Sequence, residues 1–390
     1  MKSVSLNLNS NISQKLFYLI VLILFLRIDL VFENNTPTGG DMGAHIVAID
    51  TFINDFIPNF QINGWSNDWF GGYPLYYFYF PIPPLITFFL NLAFPFGVAF
   101  KIMVAMSTIL VVYSFEKLMR KTSNQFSIYG ASAGLFYVFT ESFTIYGGNL
   151  ASTLAGQYSF GYSLAFANLS IFYLIKSKNN FRFPISSIFL ALCLMSHLIP
   201  FIIYVPIYGF YWLSKKQKLN QKILSISIFL ALVSRWSLSL FMNLEYTTNM
   251  SYTPFSRLND LIKNDILPII FILLGLLILK HKNLIKSKSL NLFDLYIISS
   301  SLLLYFFVPE GALWNGRLVS FFNLGIVFIF FKTIEIFVED LNFYQQGVNV
   351  LTILFFGVTI YCLYIFYEKW STYQSYLNLY IPIIFLILIY

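Results

Sequence analysis

The sequence predicts an all-α protein, a polytopic transmembrane bundle of about eleven or twelve helices with a large first extracytoplasmic loop that contains interfacial helices. Three observations carry this reading. Hydrophobic residues make up 58% of the chain and charged residues 11%, at a mean hydropathy of +0.71, whereas a soluble domain runs near half apolar and about a quarter charged. Apolar runs of near-spanning length recur from end to end. The Lys and Arg residues behind the net charge of +7 gather in a few short loops, the pattern that sets orientation in a membrane rather than a nucleic-acid surface.

A spanning helix needs about 20 mostly apolar residues. The candidate spans are 16–32, 98–116, 127–145, 159–175, 184–213, 222–242, 266–280, 293–308, 318–333, 347–366 and 378–390. The first resembles a signal sequence after Lys2 and Lys15, but no small-x-small cleavage site follows, so a retained helix is expected. The 184–213 run contains Ser196-His197-Leu198-Ile199-Pro200 and is expected to be two short helices meeting at that break. Cys193 and Cys362 sit inside apolar runs and read as small core residues. The chain ends within an apolar run, so either the last helix is short or the natural protein continues.

Charge orients these spans. Basic clusters at Lys117/Arg120/Lys121, Lys176/Lys178/Arg182, Lys215/Lys216/Lys218/Lys222 and Lys280/Lys282/Lys286/Lys288 are expected in the cytoplasm. Asp41 to Ala99 holds no Lys or Arg but contains Asp41, Asp50, Asp55 and Asp68, and 146–158 is likewise free of cations. Both are expected outside. Residues 82–97, bounded by prolines, would invert the alternation if they crossed, and are expected as a half-helix in the outer interface. The whole chain, 1–390, then reads as one integral membrane domain, with 33–97 as its outer loop.

The outer loop holds Thr36-Pro37-Thr38-Gly39-Gly40-Asp41-Met42-Gly43-Ala44-His45. If Asp41 opens a helix, Asp41 and His45 share one face; alternatively Asp41 is an ordinary N-cap and His45 packs. Apolar residues at Ile46, Ile49, Ile53, Phe56 and Ile57 keep a helical period up to Pro58. Beyond it Trp65, Asp68, Trp69, Gly71, Gly72, Tyr73 and Tyr76-Tyr77-Phe78-Tyr79-Phe80 form an aromatic segment, fit either for the bilayer interface or for stacking on a sugar.

Further outer polar groups are Gln157, in the small-residue run Gly147 to Tyr158, His197 at the break, and Asn315 and Arg317 in Glu310 to Arg317. Close helix packing or headgroup contact would explain each alone. A guanidinium also suits bidentate contact with phosphate. Arg235 falls within an apolar span, where a charge is costly and often functional. Their joint segregation to one side exceeds what scattered structural residues would give.

The run Gly-Gly-Asp41-x-x-x-His45, then Gly71-Gly-Tyr-Pro74-Leu and Phe80-Pro-Ile-Pro-Pro84-Leu, resembles bacterial members of the GT-C superfamily of polytopic glycosyltransferases. The resemblance is greatest to the large membrane proteins termed 6-pyruvoyl-tetrahydropterin synthase-related and to arabinofuranosyltransferase-like proteins. Ser152-Thr-Leu-Ala-Gly156 and Leu313-Trp-Asn-x-Arg317 resemble later motifs of that group. The resemblance covers 36–85 and, in short stretches, 147–164 and 311–323; 82–97 is similar to the half-helix that follows the first loop in protein O-mannosyltransferases.

It implies a transferase in the plasma (inner) membrane, with its site facing outside. The donor would be a polyprenyl-phosphate-linked sugar and the acceptor a glycan, lipid or protein. Asp41 would be the catalytic base of a single displacement, with His45 beside it. Trp65, Asp68, Trp69, Tyr73, Gln157, His197, Asn315 and Arg317 would bind substrate, with Arg317 or His197 on the departing phosphate. No cofactor is certain: many members hold a divalent metal with a second acidic pair, but 146–158 has none, and Gln157 stands where relatives often carry an acid. That counts against a metal-dependent mechanism. The soluble C-terminal domain of many relatives is also missing, so a partner would supply acceptor recognition, or it is lost. Two other readings remain: a transporter or flippase for a lipid-linked or amphipathic solute, and an inactive scaffold for envelope assembly.

Overall fold

The computed structural model describes residues 18–19, 22–23, 26–68, 71–120, 127–139, 146–175, 182–247, 292–307 and 313–340. The expected spans 266–280, 347–366 and 378–390, most of 16–32, the basic cluster 280–288, Cys362 and Trp69 lie outside the described residues.

The chain is a helix bundle. Its elements are α1 (Ile28–Val31), α2 (Met42–Thr51), β1 (Gly64–Ser66), β2 (Tyr73–Leu75), α3 (Ile82–Asn91), α4 (Phe96–Met119), α5 (Ile128–Phe139), α6 (Leu150–Ser152), α7 (Tyr158–Ile175), α8 (Arg182–Ser196), α9 (Leu198–Ser214), α10 (Leu219–Met242), α11 (Leu292–Phe307) and α12 (Leu313–Asp340). Three helical stretches, Phe96–Met119, Leu150–Ile175 (kinked at Gly156) and Leu219–Met242, are long and apolar enough to cross a membrane. The chain is thus a multi-pass membrane protein.

Helix α7 is the axis of the bundle, with all but two of its residues buried. Lipid tails are as apolar as leucine, so helices in a membrane associate through close packing and polar contacts rather than hydrophobic transfer. The sequence meets that need with small residues. A Cβ on Gly130 or Gly134 of α5 would stand 2.8 Å from the backbone of Glu116 or Val112 in α4. Ser107 of α4 donates to the Tyr158 carbonyl at 2.8 Å, Tyr162 donates to the Met103 carbonyl at 2.6 Å, and Tyr204 of α9 donates to Asn168 Oδ1 at 2.5 Å. By contrast α10 leaves Ile223, Leu230, Leu232 and Leu238 exposed, as a helix facing lipid does.

The break expected at 196–200 is present. His197 adopts an extended backbone (φ −170°, ψ 137°) between α8 and α9, and Pro200 falls in the first turn of α9, where its missing N–H costs nothing. Helix α3 has ten residues and opens on Pro81, Pro83 and Pro84; at about 15 Å it is half the length a crossing requires.

The two ends of the bundle differ. At one, Lys215 donates to the Ile175 carbonyl, Arg120 pairs with Glu116, and Lys332 pairs with a fully buried Asp294 at 2.6 Å. At the other sits the first loop. The helical path from α2 continues as a π-turn over Phe52–Phe56 and a 3-10 turn over Ile57–Asn59. A small antiparallel hairpin follows, pairing Trp65 with Pro74 and Ser66 with Tyr73. The all-helical expectation did not foresee this hairpin. Its strands have three residues each, too short for an alternating pattern to show among so many aromatics. Asn63 donates to Ser239, Trp236 donates to the Tyr79 carbonyl, and Arg235 donates to the Phe60 carbonyl, fastening the loop to α10. Arg235 therefore serves the loop from within its span.

Candidate active site

The site forms where three separated motifs meet at the loop end of the bundle. Gly39 and Gly40 have φ of 108° and 50° and turn the chain sharply into Asp41. The Asp41 amide then donates to the Ala155 carbonyl at 2.9 Å. That carbonyl is exposed to it because Gly156, at φ 107°, kinks the helical path between α6 and α7. A Cβ on Gly40 would stand 2.3 Å from the Ala155 oxygen, so only glycine allows this approach. Asn149 starts the segment by accepting from the Ser152 amide at 2.6 Å, an N-cap in the ordinary sense.

Asp41 does precede a helix, but its side chain makes no capping bond. Its carboxylate Oδ2 accepts instead from Gln157 Nε2 at 3.2 Å, and the residue is exposed. Gln157 Oε1 in turn accepts from Arg317 Nη2 at 2.6 Å. Arg317, near the start of α12, is buried at 6% exposure. Its Nη1 has no hydrogen-bond partner among the described residues, and its guanidinium lies 5.7 Å from the Phe160 ring. A buried donor left open is costly unless a ligand or water meets it.

His45 lies one turn beyond Asp41, its ring between Tyr79 (5.5 Å) and Tyr158 (5.1 Å, edge-on). The Tyr79 hydroxyl makes a long contact of 3.5 Å with Nε2. Burial holds the His45 imidazole below its usual range, against the opposing pull of the Asp41 charge and of a hydrogen bond with the Gly156 backbone. His45 is therefore neutral at pH 7. His197 caps α9, its Nδ1 accepting from the Ile199 amide at 3.2 Å. An accepting Nδ1 puts the ring proton on Nε2. The ring stacks on Phe80 at 4.8 Å and meets Phe160 edge-on at 5.3 Å, which brings it to the side chain that Arg317 overlies.

The structure thus joins Asp41, His45, Gln157, His197 and Arg317. Trp65 and Asp68 belong to the hairpin. Trp65 is 61% exposed, lies over Gly72, and donates to Asn67 at 3.1 Å. Asp68 accepts from the Thr51 and Ser66 hydroxyls at 2.5 and 2.7 Å, which hold its carboxyl below the usual range, and so ties the hairpin to α2. Tyr73 is half-buried on β2. Asn315 lies in the first turn of α12, with its side chain outside the described residues. Sequence reasoning did not single out Tyr79, Tyr158 or Phe160. Tyr79 stood in an aromatic run without a distinguishing spacing, Tyr158 closed the small-residue run 147–158, and Phe160 lay at the start of the span 159–175.

The donors near Asp41 do not compose a divalent-metal site among the described residues. No group of three His, Cys, Asp or Glu side chains is placed to hold an ion. The neighbour that could supply oxygen, Gln157, turns its N–H toward the carboxylate and its oxygen toward a cation.

Bundle, first loop and polar end define a multi-pass helical membrane protein, and its fold is found among solved structures. Among solved structures, that of ArnT from Cupriavidus metallidurans bound to undecaprenyl phosphate is similar over 87% of this chain, with a TM-score of 0.51 and 12% identity. The chain spans 62% of that protein's length. At this identity the likeness is one of fold. No family model matches the chain, and no curated protein does.

Proposed function

We propose that the chain is a membrane glycosyltransferase of the GT-C type. It moves a sugar from a polyprenyl-phosphate-linked donor to a glycan, lipid or protein acceptor on the extracytoplasmic face of the plasma membrane. The observation that carries this reading is the exposed Asp41 carboxylate, free of capping duty and hydrogen-bonded in series to Arg317 through Gln157. The similar fold of a protein that binds undecaprenyl phosphate supports a lipid-linked donor. The absence of Lys and Arg from the Asp41 to Ala99 segment supports its outward placement. One integral domain spanning 1–390, with 33–97 as its outer loop, fits this reading.

In the reaction, Asp41 accepts the proton of an acceptor hydroxyl as that oxygen attacks the anomeric carbon. The bond from that carbon to the phosphate oxygen breaks, and its electron pair leaves with polyprenyl phosphate. The open Arg317 Nη1 and the Nε2–H of His197 are the donors suited to that oxyanion. Neutral His45, wedged between two tyrosines, fixes the face from which Asp41 acts. Trp65 and Tyr73 offer rings to a sugar. The transporter reading rested on a charge within a span and a broken helix; with Arg235 bonded to Phe60 it loses the first of these.

The test is a transfer assay with purified protein and a panel of polyprenyl-phosphate sugars. Release of polyprenyl phosphate with a glycosylated product is expected. Uptake of lipid-linked sugar into proteoliposomes without any covalent product would overturn the proposal.

A further inference from the structure

We infer that Gln157 is a positioning residue: a neutral bridge, locked in one orientation by Arg317, that holds the Asp41 carboxylate ready to take a proton. The inference rests on the glycosyltransferase reading, and it assigns Gln157 a part different from the substrate contact expected from sequence.

The two ends of a glutamine amide are ordinarily hard to tell apart. Here the partners decide. Arg317 can only donate, so the atom 2.6 Å from its Nη2 must be the amide oxygen. The N–H end is then forced toward Asp41 Oδ2 at 3.2 Å. The backbone leaves Gln157 little freedom to do otherwise, because the Asp41 amide is bonded to Ala155 and the Gly156 kink lies directly against Asp41. Oδ2 is thereby engaged, while Oδ1 takes no hydrogen bond among the described residues and is open to an acceptor hydroxyl.

A neutral bridge also matters electrostatically. The titratable and charged groups around Asp41 are His45 on α2, Tyr79 after the hairpin, Tyr158 on α7 and Arg317 on α12. None of them is a carboxylate, so Asp41 has no acidic neighbour in this cluster. A hydrogen bond from an amide favours the ionised carboxylate, whereas a second carboxylate in its place would oppose it.

The experiment compares wild type, Gln157→Glu and Gln157→Leu. The readouts are the pH profiles of kcat and kcat/KM with a polyprenyl-phosphate sugar, and the thermal midpoint of each variant in detergent. Glutamate keeps the shape and can still receive the Arg317 hydrogen bond, but brings a like charge; leucine removes the bridge. Both should move the acid limb of kcat/KM to higher pH, by about one unit for glutamate. Leucine should also lower kcat roughly a hundredfold, with the donor KM little changed. Should one variant fail to fold, the other tests the same sign. Wild-type limbs and kcat in both variants, or a raised donor KM with an unmoved limb, would overturn the inference in favour of a plain substrate contact. Loss of turnover in wild type itself would instead be a failure of the glycosyltransferase reading.

Discussion

Gly156 and Asp41 are in direct contact: a Cβ added to Gly156 would stand 3.0 Å from the Cβ of Asp41. The two belong to motifs far apart in sequence, and the kink at one shapes the seat of the other. Replacing Gly156 with Ala should therefore cost about 1–3 kcal/mol, because φ 107° is left-handed and the added methyl presses on Asp41. Thermal unfolding in detergent measures the loss, and transfer activity should fall with it. Gly43→Ala is the control. Its Cβ would meet nothing and it lies within α2, so it should be neutral or gain about 0.5–1 kcal/mol.

Arg317→Lys keeps the charge but not the fork. A lysine offers one ammonium where Arg317 presents one nitrogen to Gln157 and keeps another, buried, without a partner among the described residues. The affinity for undecaprenyl phosphate should drop about tenfold or more, the equivalent of one lost charge-assisted hydrogen bond. Equal binding by the variant would remove Arg317 from any phosphate contact.

Asp68 predicts a pH dependence of the hairpin. Its folded carboxyl lies below the usual range because two hydroxyls donate to it. A lowered folded value means that its contribution is present above the ordinary aspartate range, near about 3.9, and is lost as pH falls through the folded value. Hydrogen-exchange protection of 64–66 and 73–75, corrected for intrinsic rates, should decline on acidification. In Asp68→Asn it should be weaker at neutral pH and should lack that acid-dependent decline.

The buried pair Lys332–Asp294 joins α12 to α11 at the end opposite the site. Removing only Lys332 takes the ammonium away from a carboxylate that has no exposure, which should destabilise the protein. Lys332→Met combined with Asp294→Leu should recover most of the loss. Thermal midpoints of the single and double variants decide, and a double variant as unstable as the single would show that the pair itself contributes.

Much of the architecture was legible because a membrane imposes simple rules. The spans at 98–116, 159–175 and 222–242 were visible as apolar runs, and the His197 break as a proline following a polar pair. The meeting of Asp41, Gln157 and Arg317 was visible only as a shared side. That Gln157 would bridge the other two depends on the Gly156 kink and on the entry of α12, which no local pattern encodes. The small-residue run 147–158 looked like packing or like a site; of its glycines, Gly156 lies against Asp41, while Gly147 and Gly148 pack on Phe160 and Tyr137. Arg235 was visible as a charge within a span, but its partner was not, because hydropathy gives no sign of a carbonyl brought to it from Phe60.

The central claim is that Asp41 is the base of a sugar transfer. The measurement that tests it most directly compares wild type with Asp41→Asn in transfer from polyprenyl-phosphate sugars, with undecaprenyl phosphate binding measured on the same preparations. The account predicts that the variant binds the lipid phosphate and loses roughly a hundredfold or more in turnover. Full turnover by Asp41→Asn, with a wild-type pH profile, would contradict it.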